Sequence, residues 1–250
     1  MNIIKYKKKS NGRYSVFLED GRELVLYEDI ILKYDLLLRK EILEVDLDSI
    51  LNDNLECDVY YVGLNLLRNR FRSKYELEEL LKRKEYPLSM IEKAIEKLKK
   101  QGYLNDQLFA KSYISSQIVT TNHGPNRIQN ELEKKHISNE IIQEALDVFS
   151  EEEQIIKINK VIDYRIKTNR SRGGTILKNK IYHDLIELGY DSSIVNSCLN
   201  HYSFSNNQEL AKKEYEKLYR KYSRKYQGAE LDRIIKDKLY QKGLVYEEES

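Results

Sequence analysis

Apolar positions along this chain recur in a fixed order of helical spacings. Leu77, Leu81, Lys84 and Tyr86 are followed by Ile91, Ala94 and Ile95. The order returns 51 residues later as Ile128, Leu132, Lys135 and Ile137, then Ile142, Ala145 and Leu146. A further 53 residues on it reads Ile181, Leu185, Leu188 and Tyr190, then Val195, Cys198 and Leu199. After 54 more it returns in part, as Ile235, Leu239, Lys242 and Leu244. Spacings of i, i+4 and of i, i+3, i+4 put side chains on one side of a helix. Each copy therefore predicts two helices, and a third apolar-periodic stretch precedes them near residues 60–67, 108–118, 155–164 and 210–222. Self-similarity at such a period marks an array of small units that complete their cores by stacking on their neighbours.

Local signals sharpen these elements. Ser73-Lys74-Tyr75-Glu76 has the form of a capping box, and Gly124-Pro125 suits a helix start because proline at N1 gives up an N–H that lacks a partner there. The second helix of each copy ends on Lys84-Glu85, Lys135-His136, Leu188-Gly189 or Lys242-Gly243. The second member of each pair falls where a left-handed residue is expected, so Glu85 and His136 should be strained by about 1–2 kcal/mol where glycine is free. On that reading His136→Gly raises the melting temperature. Cys198 stands where the other copies have Ala94 and Ala145, which predicts a small buried contact and not a reactive thiol.

Ahead of the repeats, Arg13–Leu18 and Glu23–Tyr27 are strand-like runs around Asp20-Gly21, a hairpin signal, with Ile3–Lys7 as a third strand. Two helical stretches follow, near residues 28–38 and 46–55. The predicted fold class is mainly α: tandem three-helix repeats in an elongated array with a small N-terminal β-hairpin module. The expected divisions are 1–58 for the leading module, 59–106, 107–153 and 154–204 for three repeats, and 205–250 for a partial fourth.

Composition narrows the function without naming it. The chain has 250 residues, 43 basic and 41 acidic side chains, two prolines and no tryptophan. Few prolines let helices run, while the near balance of charge says little about partners. There is no secretory apolar stretch and no run long enough to span a membrane, so a cytoplasmic protein is expected. Cys57 and Cys198 make no disulfide framework or metal spacing. Phosphate-loop, HExxH, GxSxG and SxxK patterns are absent. The expectation is a monomeric protein that is not an enzyme, with no catalytic residue, metal or cofactor.

The charge is clustered even though its sum is small. Arg68, Arg70 and Arg72, with Lys74, follow the first helix of copy one. Arg165, Lys167, Arg170 and Arg172 occupy the same place in copy three, and Arg220, Lys221, Arg224 and Lys225 in copy four. Copy two has Asn122-His123-Gly124 there instead. Charge runs are usually solvated surface, but recurrence at one place in three copies points to a cationic strip, with Tyr113, Tyr164, Tyr219 and Tyr222 nearby. Such a strip suits a phosphate backbone or an acidic protein groove and reads no sequence. The candidate contacts are these arginines and lysines other than Lys74. A helix-turn-helix-like DNA-binding protein and a protein–protein scaffold are the alternatives.

Several segments together resemble the RecX family: Arg70-Phe71-Arg72-Ser73-Lys74-Tyr75-Glu76-Leu77; Gly102-Tyr103-Leu104-Asn105-Asp106 with Phe109-Ala110 and Tyr113; and Gly124-Pro125, Ile128, Glu131-Leu132 and Lys135. Arg13-Tyr14 and Gly21 are similar to the leading module of longer, Gram-positive-type members. The resemblance implies a curved array of three-helix repeats. It also implies binding in the groove of the RecA–DNA filament, restraint of its ATPase and strand-exchange activities, and some affinity for single- and double-stranded DNA. It supplies no catalytic residues. Ser73 and Glu76 are expected as caps, and Asp106 as the cap of the helix that carries Phe109 and Ala110.

Overall fold

A computed structural model describes residues 1–204 and 207–246. Among these lie three strands and thirteen helices. The division expected between copies three and four abuts Ser205, which is outside the described residues. The chain separates into two units, Met1–Phe109 with Lys135–Ile137, and Ala110–Lys134 with Ser138–Ser250.

In the first unit, β1 (Ile3–Lys8), β2 (Arg13–Leu18) and β3 (Glu23–Tyr27) form an antiparallel sheet in the order β1-β2-β3. Tyr6 pairs with Val16, and Val16 with Leu24. Asn11 and Gly12 turn β1 into β2 with φ of 59° and 69°, the pair of positive values a two-residue hairpin needs. The sheet buries Val16, Leu18 and Leu26 against α1 (Glu28–Lys33), α2 (Leu36–Arg39) and Ile50. The helical stretch expected over 28–38 is thus broken, with Asp35 left-handed at φ 51°.

α3 is a single helix from Glu44 to Asn69. It passes through residue 58, where the sequence reading ends the leading module, because no proline interrupts it. Its first half buries Ile50 in the sheet core, and its second buries Val59 with Leu77 and Leu81 of α4 (Lys74–Lys82) and Ile91, Ala94 and Leu98 of α5 (Leu88–Lys100). Gly63 is the weak point in helix propensity. A Cβ there would stand 3.0 Å from Leu98 Cδ1, so a larger residue would press on the Leu98 side chain. Tyr27 from the sheet and Tyr86 from copy one both donate their hydroxyls to Asp58, and burial followed by this carboxylate pushes both phenols up.

α6 (Asp106–Thr120) begins in the first unit and continues in the second. The second unit then runs α7 (Pro125–Glu133), α8 (Asn139–Leu146), α9 (Glu151–Thr168), α10 (Gly174–Glu187), α11 (Ser192–Asn200), α12 (Gln208–Tyr222) and α13 (Gly228–Tyr240). The periodic residues are its core: Ile128, Leu132, Ile142, Ile181, Leu185, Val195, Ile235 and Leu239 are all buried. Full burial of such a side chain contributes about 1.5–3 kcal/mol. Cys198 is buried as well, and desolvation raises its thiol, in keeping with a packing role.

One contact joins copy to copy in the same way three times. The residue that caps the second helix of one copy bonds to the carbonyl just before the left-handed residue that ends the second helix of the next. Ser73 Oγ donates to Lys135 O at 3.1 Å, Gly124 N–H to Leu188 O at 2.7 Å, and Gly173 N–H to Lys242 O at 2.9 Å. Glu85, His136, Gly189 and Gly243 all have positive φ, as their places in the repeat predict.

The energetic expectation at His136 needs correction. Its ring stacks on Tyr75 with centroids 3.9 Å apart, an interaction worth about 0.5–1.5 kcal/mol that glycine cannot make. The strain relieved and the stacking forgone are of similar size, so His136→Gly should change stability little. Glu85 is exposed at φ 63°, and among the described residues its side chain meets no hydrogen-bond or ion-pair partner. Glu85→Gly is therefore expected to stabilise by about 1 kcal/mol, read as a higher melting temperature; a lower one would mean that the left-handed turn carries no strain.

Candidate cationic interface

The basic residues singled out in the sequence do not share one environment. In the first unit, Arg68 is exposed on the last turn of α3, and Arg70 is exposed with its Nη2 3.9 Å from Glu76. Arg72 turns inward: it is half-buried, its Nε donates to Leu66 O at 3.1 Å, and desolvation pulls its pKa down. Arg72 is thus poorly placed to reach a phosphate backbone, which corrects its reading as a free surface cation.

The motif residues around Arg72 form a joint. Ser73 Oγ accepts from Glu76 N–H at 3.1 Å while donating to Lys135 O. Glu76 pairs with Lys135 Nζ at 2.6 Å. Burial alone would raise the Glu76 carboxyl, but Lys135, Arg70 and the Ser73 backbone together outweigh it and the pKa falls. Asp106 does not cap its own helix. Asn105 does so, accepting from the N–H groups of Gln107 and Leu108 at 2.9 and 3.0 Å, while Asp106 accepts from Lys74 N–H at 2.8 Å and so closes the start of α4. A carboxylate at a helix N-terminus is favoured wherever in the chain it comes from.

In the second unit, Arg165 is tied down: its Nε lies 3.1 Å from Asp184, a buried carboxylate that Lys180 also holds at 2.5 Å. Lys167 is exposed on the last turn of α9. Arg170 and Arg172 are exposed beside the start of α10 and line a cleft of about 390 Å3 together with Lys213 of α12. Lys213 also borders a shallow surface with Lys217, Arg220 and Lys221. The copy-three and copy-four clusters are thus joined through Lys213 into one face on which six cations outnumber two carboxylates, Glu209 and Glu216. Lys221 lies over the Tyr222 ring at 5.4 Å, Arg220 is highly exposed and 4.0 Å from Glu216, and Arg224 and Lys225 are in the turn after α12. Of the nearby tyrosines, Tyr164 and Tyr219 are exposed, whereas Tyr113 donates its hydroxyl to Glu131 at 2.7 Å.

Lys213 and Lys217 escaped the sequence reading, although their spacing with Arg220 and Lys221 (i, i+4, i+7, i+8) already places all four on one side of a helix. Asn169 shapes the Arg170–Arg172 loop: its Oδ1 accepts from Arg172 N–H at 3.1 Å. That turn leaves both guanidinium groups outside the helix, free to meet an anion. No group of three potential metal ligands occurs among the described residues, and none of their helices is long and apolar enough to cross a membrane.

Comparison with known proteins agrees with this architecture. Residues 60–98 match the first three-helix domain of RecX and residues 105–146 its second. The chain is 27% identical over 248 residues to regulatory protein RecX of Listeria welshimeri, covering 98% of this chain and 92% of that protein. It is 29% identical over 245 residues to regulatory protein RecX of Bacillus subtilis, covering 96% and 92%. Among solved structures, a crystal structure of regulatory protein RecX aligns with a TM-score of 0.70 at 24% identity, over 80% of this chain and 98% of that one. RecX from Lactobacillus salivarius aligns with a TM-score of 0.55 at 24% identity, over 60% and 97%; these two likenesses speak for the fold. With both three-helix domains matched and the curated relatives aligned along almost its whole length, the chain is similar throughout to the RecX family of regulatory proteins.

Proposed function

We propose that this protein binds the RecA recombinase filament in the cytoplasm and restrains its ATPase and strand-exchange activities, so tuning homologous recombination and DNA repair. It acts by contact and not by catalysis. The observation that carries the reading is the cationic face of the second unit, where Arg170, Arg172, Lys213, Lys217, Arg220 and Lys221 adjoin. Its charge suits the phosphates and acidic side chains that a nucleoprotein filament offers together, and several modest contacts along one filament add up by multivalency. Affinity for single- and double-stranded DNA follows from the same face, with no sequence preference and a steep fall with salt.

The test is to titrate the protein into RecA's DNA-dependent ATPase and strand-exchange reactions. Inhibition is expected at concentrations well below those needed to coat the DNA. Inhibition that appears only once the DNA is saturated, in proportion to DNA occupancy, would reduce the protein to a competitor for DNA and remove RecA as its target.

A further inference from the structure

Phe71 lies inside the segment Arg70–Ser73, yet the joint built from Arg72, Ser73 and Glu76 makes no use of it. Its side chain is 62% exposed, and those of Tyr103 and Leu108 are 55% and 53% exposed. The three rim a cavity of about 250 Å3 in the first unit, walled by Leu64 and Leu67 and flanked by Arg68 and Arg72. That is below the ~300–1,000 Å3 usual for a small-molecule site, but it has room for one large side chain. No carboxylate lines it. Arg72 is already half-desolvated with its Nε committed to Leu66 O, and among the described residues neither Arg68 nor Arg72 has a carboxylate within ion-pair distance. A partly desolvated guanidinium that feels Glu76, itself paired with Lys135, only beyond ion-pair distance gains from an incoming carboxylate. Exposed aromatics beside arginine are also the composition of energetic centres in protein interfaces.

We infer that this cavity is a socket for a protein segment presenting one bulky apolar side chain next to a carboxylate. The aliphatic walls favour a side chain over a nucleobase, which would need a flat platform open along a strand. The inference rests on the reading of this protein as a filament-binding regulator and names where a protein, as distinct from DNA, is gripped. It divides the labour between the units: a mixed apolar and cationic socket in the first, and an electrostatic face in the second.

The test uses the full chain labelled with 4-fluorophenylalanine. Its five phenylalanines give few 19F resonances, and Phe71→Leu identifies that of Phe71. The peptide acetyl-Asp-Phe-Asp-Asp-amide is expected to shift the Phe71 resonance, and the versions with alanine for phenylalanine or lysine for aspartate are not. A shift by oligothymidylate in place of the peptide, or no shift by any of them, overturns the socket. These outcomes stand apart from RecA, so they are informative even if the protein fails to inhibit the filament. In the filament assay, Phe71→Ser should weaken inhibition at least about tenfold and leave helix content and DNA affinity unchanged. Unchanged inhibition, or loss of DNA affinity in parallel, counts against it.

Discussion

Replacing Gly189 by alanine is expected to destabilise the second unit by about 3–5 kcal/mol. Two costs coincide there. The backbone is left-handed at φ 91°, and an added Cβ would collide with Arg127 N and stand 2.6 Å from Arg127 Cβ. The obstacle is the first turn of α7, held in place by Gly124 N–H on Leu188 O at 2.7 Å and Asn126 N–H on Gly189 O at 3.0 Å. Neither backbone can retreat without breaking these bonds, and each buried amide left unpaired costs about 1–3 kcal/mol. Gly102→Ala is the control. It has φ 77° but nothing within 4 Å of its Cβ, so only the backbone strain of about 1 kcal/mol remains. Urea unfolding of the two variants measures the difference; equal shifts in midpoint would show that the copies are not joined through this contact.

The second large effect is electrostatic. Changing Arg170, Arg172, Arg220 and Lys221 together to alanine should lower DNA affinity by about 100-fold or more at moderate salt. It should also flatten the dependence of log K on log salt by about 3–4, close to one unit for each phosphate that is no longer neutralised. Fluorescence anisotropy across a salt series, on single- and double-stranded DNA, reads both quantities. A slope equal to that of the unchanged protein would take this face out of the interface. Arg165 is deliberately kept, although it belongs to the same sequence cluster. It neutralises Asp184, whose side chain is only 9% exposed, and removing it would mix a loss of stability with a loss of binding. The fourfold substitution touches exposed groups only, so helix content should not change.

The candidate interface was legible in proportion to how local its causes are. Clusters at the same place in three copies were visible as sequence; the face made by Lys213, Lys217, Arg220 and Lys221 was readable from spacing alone, although Lys213 and Lys217 were not singled out there. The inward turn of Arg72 and the pairing of Arg165 were not, because each depends on a group brought in by folding: Leu66 O for one and Asp184 for the other. Asp106 teaches the same point. Its position suggests a cap for the helix that follows, and the structure sends it to the start of α4 because Asn105 already fills the nearer role.

By itself the sequence determined the three-helix repeat, the hairpin at Asp20-Gly21, the buried set, and the left-handed backbone at Glu85 and His136. These follow from periodicity and turn chemistry acting over a few residues. The Asn11-Gly12 turn carried an equally plain signal. Tertiary structure alone decided that each copy is fastened to the next by a cap-to-carbonyl bond, and that Phe71 is left exposed beside two arginines without a carboxylate partner among the described residues. Those outcomes depend on which surfaces meet across tens of residues of intervening chain, and local spacing holds no record of that apposition.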